Sequence, residues 1–305
     1  MLDETAQGVF TIAVTPFLPD GAVDWDSVDR MVDFYIEKGA TGLTILGMMG
    51  EAGKLTAEES VEMVKRVVAR SSVPIVVGVS APGFAAMKAL SDAAMDIGAA
   101  GVMVAPPASL KTDGQILTYY HNTAEVLGDA PFVLQDFPLV TNVVVPVPVI
   151  LKVVEDCPTC VMLKHEDWPG LEKISALRKA SDAGARRISI LCGNGGQFIL
   201  EEMIRGADGA MTGFAYPEMM AQVIAAYRAG DEARARDIFD AYMPMVRYEA
   251  QPGLGLAIRK YTLAQRGVIA HDTLRKPGAS LSAATKAEVD TLAKRQAAKL
   301  AVLGL

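Results

Sequence analysis

Residues 161–167 read Val-Met-Leu-Lys-His-Glu-Asp, an apolar run that ends on Lys164 and is followed at once by His165, Glu166 and Asp167. A strand alternates its side chains between two faces. Val161 and Leu163 would then point one way, and Met162, Lys164 and Glu166 the other. An amine and a carboxylate would share one face at the end of a buried strand. Burial lowers a lysine pKa and frees the amine as a nucleophile for carbonyl carbon. Most lysines at strand ends are solvated surface groups instead. What Lys164 can do therefore depends on where the rest of the chain puts it.

Other groups with chemical potential are sparse. The three histidines, His121, His165 and His271, are scattered, with no His-x-His or HExxH spacing, so no metal is expected. Cys157 and Cys160 form a C-x-x-C pair without a thioredoxin-like context or a further ligand pair, and read as structural thiols. Gly193-Asn194-Gly195-Gly196 is a glycine loop. Such a loop can cradle a phosphate on backbone N–H groups, or can clear space for a substrate to approach closely. The second use is the favoured reading here.

The chain has 305 residues, 51% hydrophobic and 21% charged, with a net charge of −7. That length supports a single large core. The acidic balance argues against nucleic acid or an anionic membrane surface as partner. No run of 18 apolar residues is present, and the N-terminal stretch MLDETAQGVF lacks the basic and apolar regions of a signal peptide. Together with the odd count of three cysteines, this points to a reducing, cytoplasmic setting.

Strand and helix patterns alternate along the chain. Strands are expected at 8–14, 42–46, 74–78, 101–105, 131–135, 161–165, 188–192 and 209–212. Helices are expected at 24–38, 56–72, 83–97, 113–127, 147–154, 171–180, 197–205 and 217–228. Thr56 and Glu59 have the spacing of a capping box. Three stretches, GATG at 39–42, GAAG at 98–101 and GADG at 206–209, each read as a helix stop leading into a buried strand. Eight strand–helix units imply a parallel sheet closed into a (β/α)8 barrel, the TIM barrel, over residues 1–229. Three further helices, at 232–248, 254–265 and 283–300, would form a C-terminal helical extension over 230–305.

Active sites of such barrels lie at the C-terminal ends of the strands. Those ends here carry Thr15; Met48, Met49, Gly50 and Glu51; Ser80; Pro106; Gln135 and Asp136; Lys164 and Glu166; Gly193 and Asn194; and Thr212 and Gly213. Lys164 is the single lysine among them.

Over nearly its whole length the chain resembles the dihydrodipicolinate synthase and N-acetylneuraminate lyase family of class I aldolases. The residues that carry the resemblance are Thr15-Pro16-Phe17, the G-x-x-G-E pattern from Gly47 to Glu51, the fifth strand closing at Pro138, Lys164, and Gly193 after the seventh strand. The resemblance implies a barrel with a helical extension, a homo-oligomer (tetramer or dimer), and no cofactor. It also implies a Schiff base between Lys164 and the keto carbon of pyruvate or another small 2-oxo acid. The loop at Met48, Met49, Gly50 and Glu51 would hold the substrate carboxylate, in part through backbone N–H groups.

The departures are informative. Met48 and Met49 stand where the synthases have two threonines. Gln135-Asp136-Phe137-Pro138 stands where they have Y-N-x-P, so Gln135 takes the place of the catalytic tyrosine. Val140 takes the place of an arginine, and Pro107 and Ala108 that of a tyrosine pair. An amide does not titrate usefully, so Gln135 cannot act as an acid–base group. Q-D-x-P, K-x-E and MTGFAYP from Met211 to Pro217 are similar instead to the 2-keto-3-deoxy sugar-acid dehydratase branch. There Lys164 would form the imine and Glu166 would move protons, unless Glu166 only pairs with Lys164. The apolar Met48 and Met49 also admit an aldolase acting on a less polar 2-oxo acid. Other readings are a genuine dihydrodipicolinate synthase, a non-catalytic 2-oxo-acid sensor on the same scaffold, and a phosphate- or flavin-binding barrel using the GNGG loop.

Overall fold

The computed structural model describes all 305 residues. Eight parallel strands close into a barrel in chain order. They are β1 (Gly8–Ile12), β2 (Gly42–Ile45), β3 (Ile75–Gly78), β4 (Gly101–Val104), β5 (Phe132–Asp136), β6 (Cys160–His165), β7 (Ser189–Cys192) and β8 (Gly209–Ala210). Around them lie α1 (Trp25–Glu37), α2 (Ala57–Arg70), α3 (Phe84–Ile97), α4 (Asp113–Leu127), α5 (Pro138–Thr141), α6 (Val147–Asp156), α7 (Leu171–Asp182), α8 (Ile199–Ile204) and α9 (Glu218–Arg228). The TIM barrel expected from the alternating pattern is the fold found. No helix is long and apolar enough to cross a membrane.

Local chemistry sets the helix starts. Asp24 accepts from the Ser27 N–H at the head of α1. Thr56 and Glu59 close the expected capping box on α2, and Thr112 with Gln115 close a second on α4. These contacts satisfy N–H groups that have no partner within the helix. The helix α5, absent from the expected set, begins at Pro138, which fits the first turn because it lacks an N–H to lose. The strand β8 is shorter than expected, yet the Ile12 N–H still bonds the Thr212 carbonyl at 2.9 Å.

Two apolar layers follow from strand alternation. Phe10, Ile12, Val76, Met103, Val133, Met162, Leu191 and Met211 fill the barrel interior. Leu43, Val77, Leu134, Leu163 and Ile190 belong to the larger cluster that includes the helices. Val161 is the exception: strict alternation puts it with Leu163, but it joins the interior. The pairing of β5 with β6 slips there, from Phe132 opposite Cys160 to Val133 opposite Met162. Such a slip leaves one residue unpaired and re-aims it.

Beyond the barrel come α10 (Glu232–Glu249), α11 (Gly255–Gln265) and α12 (Ala283–Val302). Ile238, Tyr242, Met245, Ile258, Leu263 and Val289 share one core with the barrel helices. All three cysteines are free and buried.

On α8, Glu202 is 5% exposed beside Cys192, and burial holds its carboxyl neutral up to about 8. An unfolded carboxyl ionises near its ordinary value of 4.5. Stability from this group is therefore full below that value and is lost as pH rises through 8. Glu202→Gln should melt above the parent by a margin that grows between pH 4.5 and 8 and then levels, on the order of a few kcal/mol. A pH-independent margin in thermal melts would show that Glu202 is ionised in the fold.

Candidate active site

Alternation along β6 aims Lys164 into the barrel, one step above Met162 and directly opposite Gln135 on β5. Glu166 follows just past the strand, anchored by its N–H to the Asp136 carbonyl at 2.9 Å. Lys164 and Glu166 are both 5% exposed, and Lys164 Nζ lies 3.0 Å from Glu166 Oε2. The same oxygen accepts from Gln135 Nε2 at 2.7 Å. No protein hydrogen bond reaches Glu166 Oε1. A buried charge pair is tolerable only with such further hydrogen bonding.

The β7 loop fits around this carboxylate. A side chain on Gly193 would put its Cβ 2.1 Å from Glu166 Cγ, so only glycine leaves room. Asn194 Nδ2 donates to the Glu166 carbonyl at 3.1 Å. The Gly195 N–H donates to Thr212 Oγ1 at 2.8 Å, and the Gly196 N–H to the Gly193 carbonyl. The space cleared at Gly193 is thus taken by Glu166, not by an approaching substrate. Three of the loop's four amides, those of Gly193, Gly195 and Gly196, are engaged within the protein.

These groups open into a cavity of about 750 Å³. Gln135, Lys164, Glu166, Met48, Met49, Asn194, Thr212 and Gly213 all line it. Ile12, Phe137, Leu139, Val140, Trp168 and Phe214 add apolar wall, and no tyrosine lines it. Met48 to Gly50 form a 3-10 turn, and the N–H groups of Met48 and Met49 have no intramolecular acceptor. Thr15 Oγ1 ties the turn down through the Gly50 carbonyl at 2.6 Å.

Four expected site residues, Gly50, Glu51, Asp136 and Gly193, do not line the cavity. Glu51 is 4% exposed and left-handed (φ 55°). Its carboxylate takes Lys260 Nζ at 2.5 Å, Lys54 Nζ at 2.7 Å and the Arg275 N–H at 3.1 Å. Asp136, the last residue of β5, points away from the axis, where Lys173 Nζ binds it at 2.7 Å. Both were read as substrate contacts, and both carboxylates are instead consumed by cations from elsewhere in the chain. No group of three or more His, Cys, Asp or Glu side chains is placed to hold a metal ion.

Sequence reasoning missed Arg259 and Glu249, which line the cavity from α11 and α10. Arg259 Nε donates to Glu249 Oε1 at 2.7 Å, and both side chains are buried. The alternating pattern of α11 carried no sign that its arginine would face inward.

Residues 5–296 match the sequence profile of the dihydrodipicolinate synthetase family. The chain belongs to that family. A crystal structure of dihydrodipicolinate synthase from Rhodopseudomonas palustris is 52% identical, covers 96% of this chain and 99% of that one, and superposes with a TM-score of 0.95. The L-2-keto-3-deoxyarabonate dehydratase of Azospirillum brasilense is 28% identical over 304 residues, 95% of this chain and 94% of that protein. The 4-hydroxy-tetrahydrodipicolinate synthase of Sorangium cellulosum is 33% identical over 236 residues, 75% of this chain and 76% of that protein. As a member of the dihydrodipicolinate synthetase family the protein is a lyase of the class I aldolase type.

Within the family fold, Glu51 and Lys260 join the barrel mouth to the extension. Lys260→Met leaves a buried carboxylate short of one cation and should cost about 3–5 kcal/mol in urea unfolding. The double variant Glu51→Gln/Lys260→Met should recover part of that loss. Equal stability of the parent and Lys260→Met would show that the pair does not hold the mouth together.

Proposed function

We propose that the protein is a Schiff-base lyase that removes water from a 2-keto-3-deoxy sugar acid, with Lys164 as nucleophile and Glu166 as proton carrier. The observation that carries this is the Glu166 carboxylate beside the Lys164 amine, with one oxygen held and the other free, in a cavity without tyrosine.

The steps follow from that geometry. The Lys164 amine adds to the keto carbon, and loss of water gives an iminium. The iminium acidifies the C3 protons, and Glu166 takes one through Oε1, leaving an enamine. The enamine expels the C4 hydroxyl, which leaves as water with the proton returned by Glu166. Water then hydrolyses the imine and frees Lys164. The unbonded N–H groups of Met48 and Met49 suit the C1 carboxylate. Gln135 donates a hydrogen bond that orients Glu166 and takes no part in proton transfer.

The Rhodopseudomonas palustris likeness favours a second reading, synthesis from pyruvate and aspartate semialdehyde. The absence of a cavity tyrosine and of an arginine at Val140 weighs against it. We place the working protein in the cytoplasm as a homo-oligomer, following the family's habit.

Incubation with pyruvate and borohydride should add one reduced pyruvate per chain, seen by intact mass, and Lys164→Ala should abolish it. An adduct that survives Lys164→Ala would sink the imine assignment. Glu166→Gln should keep the adduct but slow dehydration of 2-keto-3-deoxy acids by about 10²–10⁴. Full turnover by that variant would remove Glu166 from the mechanism, and release of pyruvate in place of water would identify an aldolase.

A further inference from the structure

Arg259 is 5% exposed, yet neither Nη1 nor Nη2 of its guanidinium has a hydrogen-bond partner in the protein; only Nε does. Buried donors are rarely left unpaired, because nothing replaces the water they give up. Glu249 does not supply the missing acceptor: its Oε1 takes Arg259 Nε at 2.7 Å, its Oε2 takes the Ala215 N–H at 3.1 Å, and neither reaches the terminal nitrogens. A Cβ on Gly213 would lie 2.1 Å from Nη1, so that nitrogen is sealed against bare backbone just past the eighth strand, and Nη2 is the nitrogen left open. Gly213, Glu249 and Arg259 all line the cavity that holds Lys164.

We propose that Arg259 is the specificity-determining residue of this cavity, binding the hydroxylated tail of the 2-oxo acid while Lys164 holds its keto carbon. The inference rests on the Schiff-base reading for the position of the keto carbon. Three basic side chains line the cavity: Lys54, Lys164 and Arg259. Lys54 is taken by Glu51 and by the Arg275 carbonyl, and Lys164 is assigned to the reacting carbon. Arg259 alone is left to read the far end.

Charge selects the chemistry of that end. Glu249 already neutralises Arg259 at salt-bridge distance. A second substrate carboxylate would be an uncompensated charge in a buried site. A hydroxyl brings a neutral acceptor oxygen to the open Nη2. The apolar wall of Met48, Leu139 and Trp168 then faces the carbon chain.

Three matched probes, each with a C4 hydroxyl to lose, test the assignment: 4,5-dihydroxy-2-oxopentanoate, 4-hydroxy-2-oxopentanoate and 4-hydroxy-2-oxoglutarate. The parent should favour the dihydroxy acid over both others in kcat/KM. In Arg259→Gln the preference over 4-hydroxy-2-oxopentanoate should fall by about 10–10²-fold, the range for one hydrogen bond to a charged group. Pyruvate trapping by borohydride should be unchanged. The double variant Glu249→Gln/Arg259→Gln, which leaves no unpaired charge, should show the same loss if the effect is recognition. The ratio of affinities is also read in Lys164→Ala, where no imine can form. An unchanged ratio in the arginine variants, or a parent that prefers the dicarboxylate, overturns the role of Arg259. A missing pyruvate adduct with the affinity ratio still dependent on Arg259 overturns the imine chemistry and leaves this assignment standing.

Discussion

The pairing of β6 with its neighbours governs the mouth of the barrel. Lys164 sits opposite Gln135 on one side and Leu191 on the other. Side chains in a strand alternate with a period of two, so a one-residue slip would send every group to the opposite face. His165 would then point at the axis and Lys164 into the packed layer beneath the helices. The chain does slip once, at Val161, but the slip lies below Lys164 and is absorbed before the C-terminal end of the strand. From Met162 upward the register is regular, and the amine, the amide of Gln135 and the carboxylate of Glu166 converge.

Burying charges near that point demands partners, and the partners come from far along the chain. Glu51 and Lys260 are 209 residues apart in sequence. Burial lowers the Lys260 ammonium to about 8 even with Glu51 against it, so the lysine keeps its charge at neutral pH. Burial likewise raises the Glu249 carboxyl, while Arg259 pulls it back. Such pairs hold position more than they add stability. Arg275 reinforces the same seam, binding both oxygens of Glu59 and the carbonyls of Lys54 and Gly21. The helical extension is therefore part of the site's wall, with α10 and α11 presenting Glu249 and Arg259 to the cavity.

What could be read in the sequence divides along the same line. The alternation of apolar strands with amphipathic helices is a local signal, and it sufficed for the barrel and for the helix over residues 113–127, which is found at those bounds. The capping box at Thr56 and Glu59 is equally local. Lys164 was legible because a strand end in a barrel has a known destination. Glu51 and Asp136 were misread because their roles are fixed by Lys260 and Lys173, whose approach no local pattern encodes. Arg259 was missed for the converse reason. It lies in a helix with buried residues on all sides, among them Ile258, Lys260 and Leu263, so no polar stripe marks an inward face. Gly193 was seen as cleared space, but what fills it is the Glu166 side chain from just past the neighbouring strand.

Gln135, where the resemblance to the synthases would put an acid–base tyrosine, reshapes the proposed chemistry more than it removes any. A phenol at that place could shuttle protons; an amide can only hold geometry. Gln135 Nε2 and Lys164 Nζ both bind Glu166 Oε2, so one edge of the carboxylate is fixed from two directions. Gly193 leaves the other edge uncrowded, and Asn194 pins the backbone behind it. A carboxylate held in this way spends little freedom on reaching a transition state, which is where preorganisation lowers a barrier. Glu166 is thus the one titratable group beside Lys164 that is both oriented and open. In the proposed dehydration, proton transfer at C3 and departure of the C4 hydroxyl would fall to a single residue acting in sequence, with the amide of Gln135 keeping it in place for both steps.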